Sequence, residues 1–94
     1  MRIATFRHKG IERFYREGDA RGVPAQYAEK LRAMLIAIQE AERLSDVERF
    51  SGWRLHPLKG DRRGTWSMSL TRNQRLTFKI RAGGIEDVDI EDYH

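Results

Sequence analysis

Cysteine is absent from the 94-residue chain, which excludes disulfides, thiolate nucleophiles and thiolate metal ligands together. Proline occurs only at Pro24 and Pro57, so most of the chain is free to form uninterrupted helices and strands. Long apolar runs are missing as well. The start, MRIATFRHKG, meets a charge at Arg2, and nothing follows that approaches the ~18 apolar residues of a membrane span or the core of a signal peptide. A soluble, cytoplasmic protein without membrane contact is expected. Repeats, low-complexity tracts and linkers are also absent, which points to one domain over residues 1–94. At this length a chain folds alone around a small core.

One sign of charge is missing from the end of the chain. From Gly83 onward there is no Lys or Arg, while Glu86, Asp87, Asp89, Glu91 and Asp92 are all acidic. The middle is the opposite: Arg49, Arg54, Lys59, Arg62, Arg63, Arg72, Arg75, Lys79 and Arg81 face a single acid, Asp61. Fourteen of the eighteen basic residues are arginine, whose planar fork matches phosphate. A basic middle suits a polyanion partner and an acidic end suits local ion pairing. A charge-balanced, solvated surface is the plainer alternative.

The periodicity predicts β-α-α-β-β-β-β. Residues 2–7 are short and β-compatible. From His8 to Glu17, Ile11, Phe14 and Tyr15 recur at helical spacing, and Gly18 is placed to cap the end. Tyr27, Leu31, Met34, Leu35, Ile38 and Ala41 make the clearest apolar stripe, predicting a helix from Pro24 to about Leu44. Ser45-Asp46 can cap a further short turn through Phe50. From Trp53 the period changes to two. Trp53 and Leu55 alternate with Arg54 and His56 until Pro57 ends the strand or confines it to an edge. Strands are also predicted over Thr65–Thr71, Arg75–Arg81 and Ile85–Tyr93, with a hairpin at Gly83-Gly84. The expectation is an α+β domain: a small, mostly antiparallel sheet with two N-terminal helices on one face. The other sheet face is left available for function.

Three stretches carry candidate chemistry: WRLHPLKGDRRG (residues 53–64), TRNQRLTF (71–78) and the terminal EDYH (91–94). All lie on strands or connecting loops of the same predicted sheet. RNA cleavage by internal attack needs a base for the 2′-hydroxyl, cations for the charge developing on phosphorus oxygens, and an acid for the leaving 5′-oxygen. His56, His94, Tyr93 and Asp92 can handle or orient protons. Lys59, Arg72 and Arg75 can hold phosphate, and Arg62 and Arg63 with Lys59 form either a phosphate-binding loop or a solvated basic turn. The aromatic residues Trp53, Trp66, Tyr15 and Tyr27 fall on apolar periods and read as core, and His8 reads as a local polar contact. Asp92-x-His94 with His56 also has the spacing of metal ligands. The surrounding arginines oppose a dication and no fourth ligand stands out, so no metal and no cofactor are expected. A Ser-His-Asp hydrolase lacks its G-x-S-x-G elbow.

The run F-x-H-K-G, then G-V-P-A-Q, L-H-P-L-K-G-D-R-x-G, N-x-R-L-T-F and finally E-D-Y-H resembles the HigB toxins of the RelE-like toxin–antitoxin superfamily, over the whole chain and in the same order. The resemblance implies a ribosome-dependent mRNA endonuclease that works without metal by attack of the 2′-hydroxyl and so blocks translation. It implies three partners: mRNA in the decoding site, ribosomal RNA, and a small helix-turn-helix antitoxin of the HigA kind. It places the active residues on His56, Lys59, Asn73, Arg75, Asp92, Tyr93 and His94. His94 would transfer the 2′-hydroxyl proton, Tyr93 would stack on a base or assist, and Asp92 would orient neighbours or contact the nucleotide. Lys59 and Arg75 would stabilise the transition state, with His56 as acid or phosphate ligand. Gln74 stands where relatives often carry an aromatic residue. A non-catalytic basic module that binds ribosomal or other RNA by occupancy is the alternative, because arginine-rich strands hold phosphate whether or not they cut it.

Overall fold

Both helices begin and end where local chemistry allows. The structure, a computed structural model, describes residues 1–93. Helix α1 spans Lys9–Glu17, and the His8 side chain caps it by accepting from the Ile11 N–H through Nδ1 at 3.1 Å. Gly18 ends it in the left-handed region (φ 72°), where an L side chain would be strained, and returns its N–H to Phe14. Helix α2 spans Ala28–Glu40 and buries Leu31, Met34, Leu35 and Ile38. Pro24 sits in the turn before it, its carbonyl accepting from the Tyr27 N–H, rather than in its first turn. The helix also stops four residues before Leu44, as Ala41 turns extended.

Four antiparallel strands follow in chain order, β1 (His56–Pro57), β2 (Thr65–Ser69), β3 (Gln74–Arg81) and β4 (Gly84–Asp92). The β3–β4 hairpin turns on Ala82 and Gly83, both with positive φ, one residue earlier than expected. That pair of left-handed residues matches the twist of the flanking strands. One sheet face packs on the helices. Met68, Leu76, Phe78, Ile85 and Val88 are fully buried there with Ile11, Leu31, Met34 and Ile38. Burying a side chain the size of Phe78 contributes about 2–3 kcal/mol of hydrophobic stabilisation.

The α+β architecture therefore matches the periodicity, with three further local differences. Residues 2–7 run parallel to β4 but touch it as two isolated bridges, Ile3–Ile85 and Phe6–Val88. A bulge at Asp87 (φ 55°) causes this, because it shifts the β4 register between Thr77 and Lys79 and turns the Asp87 N–H onto the Thr5 hydroxyl. The bulge also lets Ile85 and Val88, three residues apart, share the buried face. The strand expected from Trp53 is reduced to His56–Pro57. Residues Ser51–Trp53 form a three-ten turn instead, in which Phe50 and Trp53 stack at 4.2 Å, and Arg54 follows in a left-handed conformation. Finally, β2 stops at Ser69, where the Thr71 hydroxyl accepts from the Asn73 and Gln74 N–H groups and closes a tight turn.

Candidate active site

The sheet face turned away from the helices carries polar residues in register. One row across the strands reads His56, Ser67, Thr77, Asp89, and the next reads Ser69, Arg75, Glu91. Strand alternation alone produces this, since each is one residue from an apolar position. The face is not simply solvated: Ser67 and Thr77 are as buried as the core.

Tyr93 is held at three points on this face. Its N–H donates to the Asn73 carbonyl at 2.8 Å, its hydroxyl lies 2.9 Å from the Ser69 hydroxyl, and the Arg75 guanidinium lies 5.3 Å from its ring centroid. Tyr93 remains 37% exposed beside that cation, an arrangement on which a base can stack. His56 and Arg72 line the same open cleft as Tyr93, together with Lys30, Arg54, Ser69 and Thr71. The His56 Nδ1 lies 2.7 Å from the Arg54 carbonyl oxygen. A carbonyl only accepts, so Nδ1 carries a proton and Nε2 of the neutral ring is the free acceptor. The left-handed Arg54 (φ 54°, ψ 47°) sets that carbonyl in place, at a backbone cost of about 1–2 kcal/mol.

Glu91 links the two ends of the face. Its carboxylate accepts a forked pair from Arg62 at 3.0 and 2.6 Å and the Thr77 hydroxyl at 2.6 Å, and Arg75 stands 3.6 Å away. The Arg62 hydrogen bonds, with those of Thr77 and the charges of Arg62 and Arg75, hold the Glu91 carboxyl down at about 2, against the opposing effect of its partial burial. The same contact raises the Arg62 guanidinium further above its already high value. Arg62 and Arg63 line a second cleft with Arg7, Lys79, Asp89 and Glu91.

The other expected residues lie elsewhere. Asn73 and Asp92 line a third cleft, on the flank, with Gln26, Gln74 and Tyr93. The β3–β4 register runs unbroken through Leu76–Ile90, Arg75–Glu91 and Gln74–Asp92, so Asp92 keeps the helix-side parity of Ile90. There, burial and then the Asp92 charge push the Tyr27 phenol up. Lys59 is exposed and caps the three-ten turn Gly60–Arg62, and its ammonium makes no ion pair or hydrogen bond among the described residues. The proton-transfer role expected of His94 lies outside the described residues. Sequence reasoning gave no role to Glu91 or Arg54, although both lie in the candidate stretches, and it missed Lys30 and Ser69 as parts of this surface. Glu91 had a signal, because its parity is opposite to that of Val88 and Ile90 and sets it facing the basic strand. Lys30 had none, since the docking of α2 against the sheet is not written in its own periodicity.

Arginines, a histidine with a directed lone pair and a half-exposed phenol together suit a phosphodiester with bases attached. The α+β fold is shared with solved structures of other proteins. Solved structures of similar shape include a YoeB/ParE toxin from Agrobacterium tumefaciens (TM-score 0.60, 16% identity, covering 100% of both chains) and YafQ from E. coli strain BL21(DE3) (TM-score 0.56, 14% identity, covering 98% of this chain and 93% of that one). A model of the HigB-like toxins, RelE-like toxins of type II toxin–antitoxin systems, matches residues 4–94. The endoribonuclease HigB of Proteus vulgaris is 39% identical over 92 residues, which cover 98% of this chain and 99% of that protein. The chain belongs to the HigB-like toxin family.

Proposed function

We propose that this toxin is an endoribonuclease that cuts messenger RNA in the decoding site of the ribosome, without metal, and is silenced by a helix-turn-helix antitoxin of the HigA kind. The observation that carries the reading is the Tyr93 ring over Arg75, in reach of the cleft that holds His56. The attacking 2′-oxygen forms a bond to phosphorus while the bond to the 5′-oxygen breaks, leaving a 2′,3′-cyclic phosphate and a 5′-hydroxyl. His94 takes the 2′-hydroxyl proton, and His56, protonated on Nε2, returns one to the leaving oxygen. Arg75 and Lys59 meet the charge that builds on the phosphoryl oxygens. Tyr93 stacks the base. Asp92 and Asn73 contact the nucleotide from the flank, while Arg62, Arg63 and Arg72 hold neighbouring phosphates of mRNA or ribosomal RNA.

The test is cleavage of a reporter message in a translating extract by wild type and by His94→Ala. Wild type is expected to cut translated message, and the variant to cut it ~10²–10⁴-fold more slowly. Equal rates would remove His94 from the mechanism. Ribosome binding by both proteins with intact message would instead favour the non-catalytic RNA-binding module.

A further inference from the structure

We infer that Glu91 is a positioning residue for cleavage, fixing Arg75 beneath Tyr93 and tying the turn that carries Lys59 to the sheet. The inference rests on the endoribonuclease reading above. Both carboxylate oxygens are in use: Oε1 accepts from Arg62 Nη1 and faces Arg75, and Oε2 accepts from Arg62 Nη2 and from the Thr77 hydroxyl. Arg62 lies in the three-ten turn Gly60–Arg62, capped by Lys59, and Glu91 lies on β4. Their forked pair therefore spans β2 and β3 and draws the turn down across the polar face.

Arg75 depends on the same group. Its side chain is 19% exposed and its Nε is buried without a hydrogen-bond partner among the described residues, so the guanidinium is located from its far end, between the Glu91 carboxylate and the Tyr93 ring. Without the carboxylate, Arg62 and Arg75 become neighbouring unpaired cations and repel. Arg75 then leaves the plane beneath the ring, and the Lys59 turn loses its anchor. Attraction for RNA persists, because removing a carboxylate makes the face more basic. The loss therefore falls on the chemical step and not on binding.

The experiment compares Glu91→Gln with wild type in the translating extract, reading kcat and KM separately on the same message, with the melting temperature of each protein recorded. Glutamine keeps the shape and one acceptor but removes the charge. The expected result is a kcat ~10–100-fold lower with KM unchanged or lowered. A wild-type kcat, or a raised KM with unchanged kcat, would overturn the inference. Should Glu91→Gln fail to fold, Thr77→Val decides. It removes one hydrogen bond to the carboxylate and keeps the buried shape, and a ~2–5-fold fall in kcat is expected. An unchanged kcat in a folded Thr77→Val protein would overturn the inference just as directly. Failure of the underlying reading is recognised separately: wild type itself would leave translated message intact, which overturns both.

Discussion

On one side of β2 and β3, Met68, Leu76 and Phe78 are fully buried against the helices; on the other, Ser67 and Thr77 are buried to the same degree among polar neighbours. The apolar side needs no directed contacts, because dispersion and water exclusion act in every direction. The polar side gains stability where its buried groups find partners. Thr77 finds Glu91, Glu91 finds Arg62 and Arg75, and Arg75 finds the Tyr93 ring. Burial alone therefore does not separate the two faces. What separates them is that one is held by volume and the other by charge, and only the second presents groups that a phosphate can engage.

Substitutions on each side should break different properties. Phe78→Ala leaves a hole in the apolar face and should cost about 3–5 kcal/mol of stability, read from the urea midpoint, enough to unfold much of a small domain. Arg75→Ala should do the reverse: cleavage falls ~10²–10³-fold, about 3–4 kcal/mol in the barrier, while the fold persists. A collapse of stability in that variant would show that the polar face is structural after all. Glu91→Gln should be about 1–2 kcal/mol less stable than wild type at neutral pH, a figure reduced for the partial exposure of Arg62. Because folding lowers the Glu91 carboxyl from 4.5 to about 2, that stabilisation is complete above about pH 5 and fades as pH falls toward 2. The urea midpoints of the two proteins should converge over that window; a constant gap would mean that the charge of Glu91 is not what stabilises the face. The smallest effect belongs to Ser67→Ala. Among the described residues the buried Ser67 hydroxyl has no hydrogen-bond partner, so its removal should change stability by less than ~1 kcal/mol.

The apolar face was legible in the chain because two periods, 3.6 and 2, report burial directly. Leu31, Met34, Leu35 and Ile38 on the helix, and Met68, Leu76 and Phe78 on the strands, follow from spacing alone. Period broke down where a single backbone conformation outweighed it. Arg54 and Asp87 both adopt positive φ without being glycine, and no pattern announces that. The first shortens the strand before His56; the second moves the β4 register and sets Ile85 and Val88, three residues apart, on one face. The polar face was legible as composition: a basic middle suited a polyanion and an acidic end suited local ion pairing, and the structure joins the two regions through Arg62–Glu91 and Arg75–Glu91. Which acid would bridge which arginine was not readable, since it depends on how the turn Gly60–Arg62 folds over β2 and β3. The stacking of Arg75 on Tyr93 was equally hidden, because it joins side chains 18 positions apart through sheet register.

The most direct measurement is the chemistry of the cut ends of a translated message treated with wild type and with Arg75→Ala. Wild type should leave 2′,3′-cyclic phosphate on the upstream fragment and a 5′-hydroxyl on the downstream one, and Arg75→Ala should yield the same ends ~10²–10³-fold more slowly. Intact message, with wild type and Arg75→Ala halting translation equally, would contradict that expectation.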